Sequence, residues 1–305
     1  MDWRALGLGV AFVAMWSSAF TSARIIVADA PPFLALSVRF LLSGGIALGI
    51  GWALGQRLPR DRAQWVAVAI FGVCQNALYL GLNFFAMRTV EASLAAIIAS
   101  MLPLIVAALS WAFLRERLAP LAAAGLAAGF AGVLVIMTAR LGGGADIGAA
   151  SLCLIGVLAL SVATLMVRNA SGASKSGASK SGAGNLWIVV GLQMLVGAVL
   201  LFPVSAAIET WQVNWTRTLL LAFTYTVFFP GIAATMIWFV LVRRIGATRA
   251  ATFHFLNPFI GVATAALILG EAVTARDLIG VAIIMAGILA VQISRSTPAL
   301  PPLPE

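Results

Sequence analysis

Charged residues are scarce in this sequence. Only 10% of its 305 residues are Asp, Glu, Lys or Arg, against roughly 25% in an ordinary soluble domain. Hydrophobic residues make up 62%, and at about 20 residues per crossing they suffice for about ten spans of a bilayer. Almost nothing is left over for a soluble domain, so the composition indicates an all-α polytopic membrane protein and excludes a soluble enzyme with a membrane tail.

Cysteine and histidine are scarce as well. Cys74 and Cys153 both lie in apolar segments, so they predict neither a disulfide framework nor a metal cluster. The sequence has a single histidine and lacks the motifs of zinc proteases, serine hydrolases, P-loop ATPases and dinucleotide-binding enzymes. These absences predict a protein that is not an enzyme, with no catalytic residue, metal or cofactor, and without an ATPase domain to drive it.

Acidic residues are about half as frequent as basic ones, with 10 Asp and Glu against 19 Lys and Arg. In a polytopic protein such an excess belongs to cytoplasmic loops that face anionic lipid, so the predicted partner is the lipid bilayer and not a nucleic acid. With the N-terminus inside, 13 basic residues fall in inner loops and 5 in outer loops. The positive-inside rule therefore predicts that both termini are cytoplasmic.

Ten apolar runs have the length of a membrane span. Residues 170–184 between spans six and seven, rich in Gly, Ser, Ala and Lys, are predicted to form a flexible cytoplasmic loop, although their near-exact repetition is also typical of an inserted linker. Residues 295–305 are predicted to form a short cytoplasmic tail. The predicted spans cover residues 5–27, 33–54, 64–87, 91–113, 118–138, 148–168, 186–208, 215–241, 247–269 and 276–294.

The chain also contains an internal repeat. A shift of 155 residues aligns 92–136 with 247–291, with identity at 13 of 45 positions. The matches include a mid-span proline, at Pro103 and Pro258, followed 13 residues later by a glutamate in each copy. The predicted repeats, residues 1–138 and 139–294, have five spans each. Because five is odd, the two must insert with opposite orientation, an arrangement typical of transporters.

Three short motifs carry a family resemblance. Span one contains Trp16-Ser17-Ser18-Ala19-Phe20, span two contains Pro32 followed by Arg39-Phe40, and both repeats share a Pro-Glu-Gly-Gly pattern. Together they resemble the EamA-type branch of the drug/metabolite transporter superfamily, most closely the YddG-like bacterial amino-acid exporters, although Ser17 replaces the usual glycine. The resemblance implies ten spans and export of aromatic amino acids, methionine and similar small metabolites across the bacterial cytoplasmic (inner) membrane.

Span three carries four polar residues on one helical face: Gln75, Asn76, Tyr79 and Asn83. Polar side chains in a span face the bundle interior or an aqueous cavity. This face is therefore predicted to line the transport pathway, and the alternative is that it supplies hydrogen bonds between packed helices.

Spans one, eight and nine contribute the remaining candidate substrate-binding residues. Aromatic rings are expected to hold the apolar part of an amino acid, while Gln75, Asn83, His254 and Asn257 bind its amino and carboxylate groups. A core tryptophan and a neutral hydrogen-bonding histidine are the structural alternatives. These candidates are Trp16, Ser17, Tyr225, Trp238, His254 and Asn257.

Helix-breaking residues in the spans are candidate hinges. Pro103, Pro230, Gly231 and Pro258 interrupt apolar helices, and a proline there removes a backbone donor and bends the helix. Each is interpreted as a hinge for alternating access or, alternatively, as a packing kink.

Arg39 is a formal charge within span two, with no carboxylate near it in sequence. It is expected to snorkel, to pair with a helix C-terminus or to bind a substrate carboxylate, and a structural role is favoured because it lies about 10 Å from the start of its span.

These features predict an amino-acid exporter that works by alternating access. No acidic residue lies inside a predicted span away from its ends, so uncoupled uniport is expected. The alternatives are an exporter of organic cations or drugs, which could be coupled to protons, and a membrane-embedded enzyme or scaffold. The sequence is compatible with a monomer and leaves the oligomeric state open.

Overall fold

The computed structural model describes residues 2–116, 118–142, 144, 146–173 and 185–296. Within these residues the chain is helical, with no strand, and its ten long apolar helices confirm the predicted fold class. The shortest of them has 21 residues, which spans about 30 Å at the rise of an α-helix. They are α1 (Trp3–Asp29), α2 (Pro32–Ala53), α3 (Arg62–Ala86), α4 (Ala92–Leu114), α5 (Pro120–Gly142), α6 (Ile147–Ala173), α7 (Leu186–Ile208), α8 (Arg217–Ile245), α9 (Arg249–Leu269) and α10 (Ala275–Ser296).

Two predicted non-helical segments begin later than expected. Helix α6 continues to Ala173, so the first four residues of the predicted loop 170–184 are helical, and residues 174–184 lie outside the described residues. Helix α10 ends at Ser296, so the rest of the predicted tail, 297–305, also lies outside them.

Polar side chains mark several helix ends. The side chain of Asp2 accepts the backbone N–H of Ala5 at 3.2 Å, at the start of α1. At the start of α10, Thr274 donates its backbone N–H to Asp277 at 2.9 Å, and Asp277 donates its own to the Thr274 hydroxyl at 3.2 Å. Such reciprocal pairs satisfy N–H groups that have no partner within the helix.

Two glutamates connect the halves of the chain through helix ends. The carboxylate of Glu209, after α7, accepts two backbone N–H groups at the start of α2, at 2.9 and 3.0 Å. The carboxylate of Glu271, after α9, accepts two at the start of α4, at 2.7 and 3.0 Å. A negative charge at a helix N-terminus is favourable, so each contact holds a helix of the first repeat against the second.

The packing of the helices has an internal symmetry. Helices α2 and α7, α4 and α9, and α5 and α10 pack in pairs, and each pair joins equivalent helices of the two repeats. Helix α1 packs on α8 and α9, while its equivalent α6 packs on α3 and α4. This exchange of equivalent contacts is what a two-fold axis between inverted five-helix repeats produces.

Four helices lose their regular hydrogen bonding near the middle. Two segments are π-helical: Gly72–Leu80 in α3 and Phe229–Ala233 in α8. The repeat shift of 155 residues places the second segment within the equivalent of the first. Helix α4 is interrupted at Met101, before Pro103, and α9 tightens into a 3₁₀ turn over Phe253–Leu256, before Pro258. Departures of this kind are frequent at functional sites.

Candidate functional site

A narrow cavity lies among α1, α2, α3, α7 and α8. Its empty volume is about 640 Å³, counting the part that opens to its surroundings. Trp16, Gln75 and Pro230, which line it, lie near the middle of α1, α3 and α8, so the cavity reaches mid-span. Its apolar lining includes Trp16, Phe20, Phe40, Tyr79, Phe84, Met87 and Met194, and its polar lining consists of Arg39, Gln75, Asn76, Asn83 and Thr235.

Helix α3 forms one wall of the cavity, and all four polar residues of its predicted face line it. Three of them lie in the π-helical segment, where the backbone bonds span one residue more than in an α-helix. Asn76 also donates from Nδ2 to the carbonyl oxygen of Gln193 at 2.7 Å, which joins α3 to α7. Asn76 therefore agrees with both predictions for this face, because it lines the cavity and also forms a hydrogen bond between two helices.

Arg39 lies in the cavity wall contributed by α2 and is only 6% exposed. Among the described residues it forms no ion pair, and its Nε has no hydrogen-bond partner. Its guanidinium carbon lies 5.5 Å from the ring centroid of Phe40. A charged side chain within a span is costly and normally pairs with another group, so Arg39, which lies about 10 Å along its helix, requires an explanation.

Asn83 is fully buried and carries a second unpaired atom. Its Nδ2 donates to the carbonyl oxygen of Tyr79 at 2.7 Å, one turn earlier in α3. Its Oδ1 is buried without a hydrogen-bond partner among the described residues. The cavity wall thus holds one unpaired donor group and one unpaired acceptor.

The predicted residues of α9 lie in a second group, which we name the His254 cluster: Phe12, Trp16, Ser17, Trp238, His254 and Asn257. The imidazole ring is 5.3 Å from the rings of Phe12 and Trp238 and 6.5 Å from that of Trp16, between centroids. His254 Nδ1 lies 2.9 Å from Asn257 Nδ2, and the Ser17 hydroxyl donates to Asn257 Oδ1 at 3.3 Å. Of these six residues, Trp16 also lines the cavity.

Tyr225 belongs to neither group. Its hydroxyl is 2.6 Å from that of Ser18, and its ring stacks on Phe229 with 4.9 Å between centroids. The structure therefore places Trp16, Gln75, Asn76, Tyr79 and Asn83 around one cavity, while Ser17, Trp238, His254, Asn257 and Tyr225 are not among the residues that line it.

The candidate hinges lie at or beside the irregular segments. Pro230 lines the cavity within the π-helical part of α8, and Gly231 follows it. Pro103 and Pro258 come directly after the breaks in α4 and α9.

Sequence reasoning missed part of the cavity wall. Phe84 and Met194 are apolar residues in apolar helices, so no pattern distinguishes those that face the cavity from those that face a neighbouring helix. Phe20 and Phe40 could have been identified, since they stand in the motifs of spans one and two.

Ten apolar helices in two equivalent halves, around a cavity at mid-span, define a polytopic membrane transporter. The chain belongs to the EamA-like transporter family, whose profile matches residues 3–138 and 147–293. The family is one of transporters, so this membership confirms both the family resemblance and the prediction that the protein is not an enzyme.

Two curated relatives match over most of the chain, and a third matches over about half of it. "Uncharacterized transporter YvbV" of Bacillus subtilis is 25% identical over 90% of this chain and 87% of its own. "Probable amino-acid metabolite efflux pump" of Salmonella typhimurium is 26% identical over 92% of each chain. "Aromatic amino acid exporter YddG" of Ancylobacter novellus is 29% identical over 45% of this chain and 47% of its own.

The fold is shared with a solved crystal structure. It superposes with a TM-score of 0.65 over 98% of this chain and 100% of that chain, at 21% sequence identity. At this identity the match shows the common architecture alone.

Proposed function

We propose that this transporter exports amino acids, in particular aromatic amino acids, methionine and similar small metabolites, from the bacterial cytoplasm across the inner membrane. The observation that carries the proposal is the composition of the mid-span cavity, in which five aromatic rings surround a small set of amide and cationic groups. The efflux pump and the aromatic amino acid exporter among the relatives support the same substrate class.

The aromatic rings and the amide groups of the cavity wall suit the side chain and the charged backbone groups of an amino acid, respectively. The rings of Trp16, Phe20, Phe40, Tyr79 and Phe84 offer flat apolar surfaces to a large side chain. The amides of Gln75 and Asn83 can both donate and accept hydrogen bonds, as a zwitterion requires.

Organic cations fit the cavity less well. A membrane cavity that binds a cation is expected to supply a carboxylate to compensate its charge. None of the described residues that line this cavity is Asp or Glu, whereas Arg39 is a cation already present there. The aromatic rings alone would provide only cation–π contacts.

Alternating access is proposed to use the interrupted helices. Each repeat contributes two of them, α3 and α4 in the first and α8 and α9 in the second. Two similar halves can exchange their packings around a fixed midplane site, and broken helices absorb the change in backbone geometry more easily than regular ones.

Flux into proteoliposomes tests the proposal. The purified protein is reconstituted, and uptake of labelled tryptophan, methionine and threonine is compared with uptake of labelled tetraphenylphosphonium, with protein-free liposomes as the control. Protein-dependent flux of tryptophan and methionine is expected. Flux of the cation without flux of any amino acid would instead support a drug exporter, and no protein-dependent flux of any of these compounds would refute amino-acid export.

A further inference from the structure

Two buried side chains that line the same cavity each carry a polar atom without a hydrogen-bond partner among the described residues. Arg39 reaches it from α2 and Asn83 from α3. Arg39 is 6% exposed and Asn83 is 0% exposed. The Nε of Arg39 and the Oδ1 of Asn83 have no hydrogen-bond partner among the described residues. Buried polar groups are nearly always hydrogen-bonded, and each exception needs a reason.

The acidic residues of the described chain are already engaged elsewhere or lie at helix ends. Glu209 and Glu271 bind the starts of α2 and α4. Asp277 and Glu91 pair with Arg140. Within the part of the chain that the structure describes, Arg39 therefore has no counter-ion, although a cation inside a membrane normally pairs with one.

The two unpaired groups are of opposite kinds. A guanidinium is a fork of N–H donors whose geometry matches a carboxylate, and an amide oxygen accepts hydrogen bonds from an ammonium group. A molecule that carries both a carboxylate and an ammonium group offers a partner to each of them.

We propose that Arg39 and Asn83 form the subsite for the α-carboxylate and the α-ammonium group of the substrate, with Arg39 on the carboxylate and Asn83 Oδ1 on the ammonium. The inference rests on the proposed export of amino acids and adds to it a requirement for a free carboxylate. Arg39 is then a specificity-determining residue, and an amine or amide lacking the carboxylate is a poor substrate.

Other features of the cavity agree with this assignment. Phe40 follows Arg39 in α2, Phe84 follows Asn83 in α3, and Tyr79 lies one turn before Asn83; all three line the same cavity. Aromatic rings thus stand next to both polar groups, where they can contact the side chain of an amino acid whose backbone groups are held there.

The test compares ligands that differ only in the backbone groups. Tryptophan, tryptophan amide, which has no carboxylate, and indole-3-propionate, which has no ammonium group, compete with labelled tryptophan in proteoliposomes. In the parent protein we expect tryptophan to compete about ten- to hundredfold better than its amide, the range that charged hydrogen bonds provide. Tryptophan and its amide competing equally would overturn the assignment of Arg39.

The variants Arg39→Gln and Arg39→Lys separate recognition from folding. The ratio of tryptophan to tryptophan-amide affinity does not depend on how much protein is folded, so a role of Arg39 in folding alone would leave this ratio unchanged. We expect the ratio to fall towards one in Arg39→Gln and to an intermediate value in Arg39→Lys, which keeps the charge and loses the fork. An unchanged ratio in both variants would refute the proposal. If Arg39→Gln does not fold, the affinity ratio of Arg39→Lys and the comparison of the three ligands in the parent protein still test the proposal.

Matched controls complete the design. Arg217→Gln removes an exposed arginine at the start of α8 and should leave the ratio unaltered. In Asn83→Leu, indole-3-propionate should compete about as well as before, while tryptophan loses its advantage over it; equal losses for both ligands would contradict the role of Asn83.

The outcomes also separate this inference from the proposed function. Carriage of indole-3-propionate but no amino acid by the parent protein would refute amino-acid export and leave the carboxylate role of Arg39 standing. Transport of tryptophan together with an unchanged affinity ratio in the Arg39 variants would support amino-acid export and refute the carboxylate role of Arg39.

Discussion

Trp16 stands between the two polar regions of the molecule. It lines the mid-span cavity and contacts the rings of Phe12 and His254 in the His254 cluster. Tyr79 lies in the same cavity and is 4% exposed. Both rings are therefore placed to contact a substrate side chain, whereas a small amino acid would leave much of their surface unused.

We expect Trp16→Ala and Tyr79→Ala to lower kcat/KM for tryptophan about fivefold each, since one aromatic contact contributes about 1 kcal/mol. For threonine the value should change less than twofold. Initial rates of labelled uptake at several concentrations measure both. Trp52→Ala is the control, because Trp52 is 62% exposed on α2. Equal losses for the two amino acids would rule out recognition of the side chain by these rings.

At the level of the helices, the contact between α5 and α10 depends on closely approaching glycines. A Cβ on Gly125 would lie 2.7 Å from the carbonyl oxygen of Gly287 and 2.8 Å from the Cβ of Ala290. A Cβ on Gly45 in α2, by contrast, would meet nothing within 4 Å. The absence of a side chain at Gly125 allows the backbones to touch, as is common between membrane helices.

Gly125→Ala is expected to lower the stability of the protein by about 1–3 kcal/mol, because the added methyl group meets a backbone oxygen that cannot move aside. Gly45→Ala should be neutral or stabilising by up to about 1 kcal/mol, from helix propensity. Thermal unfolding of both variants in detergent, followed by intrinsic tryptophan fluorescence, makes the comparison. Identical unfolding temperatures for the two variants would show that the close approach of α5 and α10 does not determine the stability of the protein.

For the molecule as a whole, the positions of its acidic residues and its histidine indicate whether transport can be coupled to protons. Among the described residues, no Asp or Glu lies inside a helix away from its ends. Histidine is the side-chain type that ordinarily titrates near neutral pH, but His254 is enclosed by aromatic rings with Nδ1 beside Asn257, and it is not among the residues that line the cavity. A proton carrier coupled to substrate movement is therefore not expected.

We predict uniport down the substrate gradient. Proteoliposomes with equal tryptophan on both sides and an imposed pH gradient should show no net accumulation, and His254→Gln should keep its downhill flux. Uphill accumulation by the parent protein would refute uniport. If His254→Gln then abolished accumulation while downhill flux persisted, His254 would be the proton carrier.

The orientation of the molecule is a second prediction at this scale. The distribution of 13 basic residues on one side and 5 on the other places both termini in the cytoplasm by the positive-inside rule. A C-terminal alkaline phosphatase fusion should be inactive, because this enzyme is active only in the periplasm. A C-terminal green fluorescent protein fusion should be fluorescent, because this protein fluoresces in the cytoplasm. The opposite pattern would place both termini outside the cytoplasm and refute the predicted orientation.

The sequence by itself determined the ten helices, the two repeats and the polar face of α3. Apolar run length is set by bilayer thickness, and helical spacing alone brings Gln75, Asn76, Tyr79 and Asn83 to one side, so neither needs knowledge of distant contacts. The repeat followed from a proline and a glutamate that recur at the same separation.

Only the tertiary structure decided which helices share the cavity. Sequence grouped His254 and Asn257 with the α3 residues, but the packing of α1 against α9 places them in a separate cluster on the other side of Trp16. Likewise, a buried arginine can be judged structural or functional only when every neighbouring helix is in place, because a partner could come from any of them. Arg39 changed from a structural residue to a substrate-binding candidate for that reason.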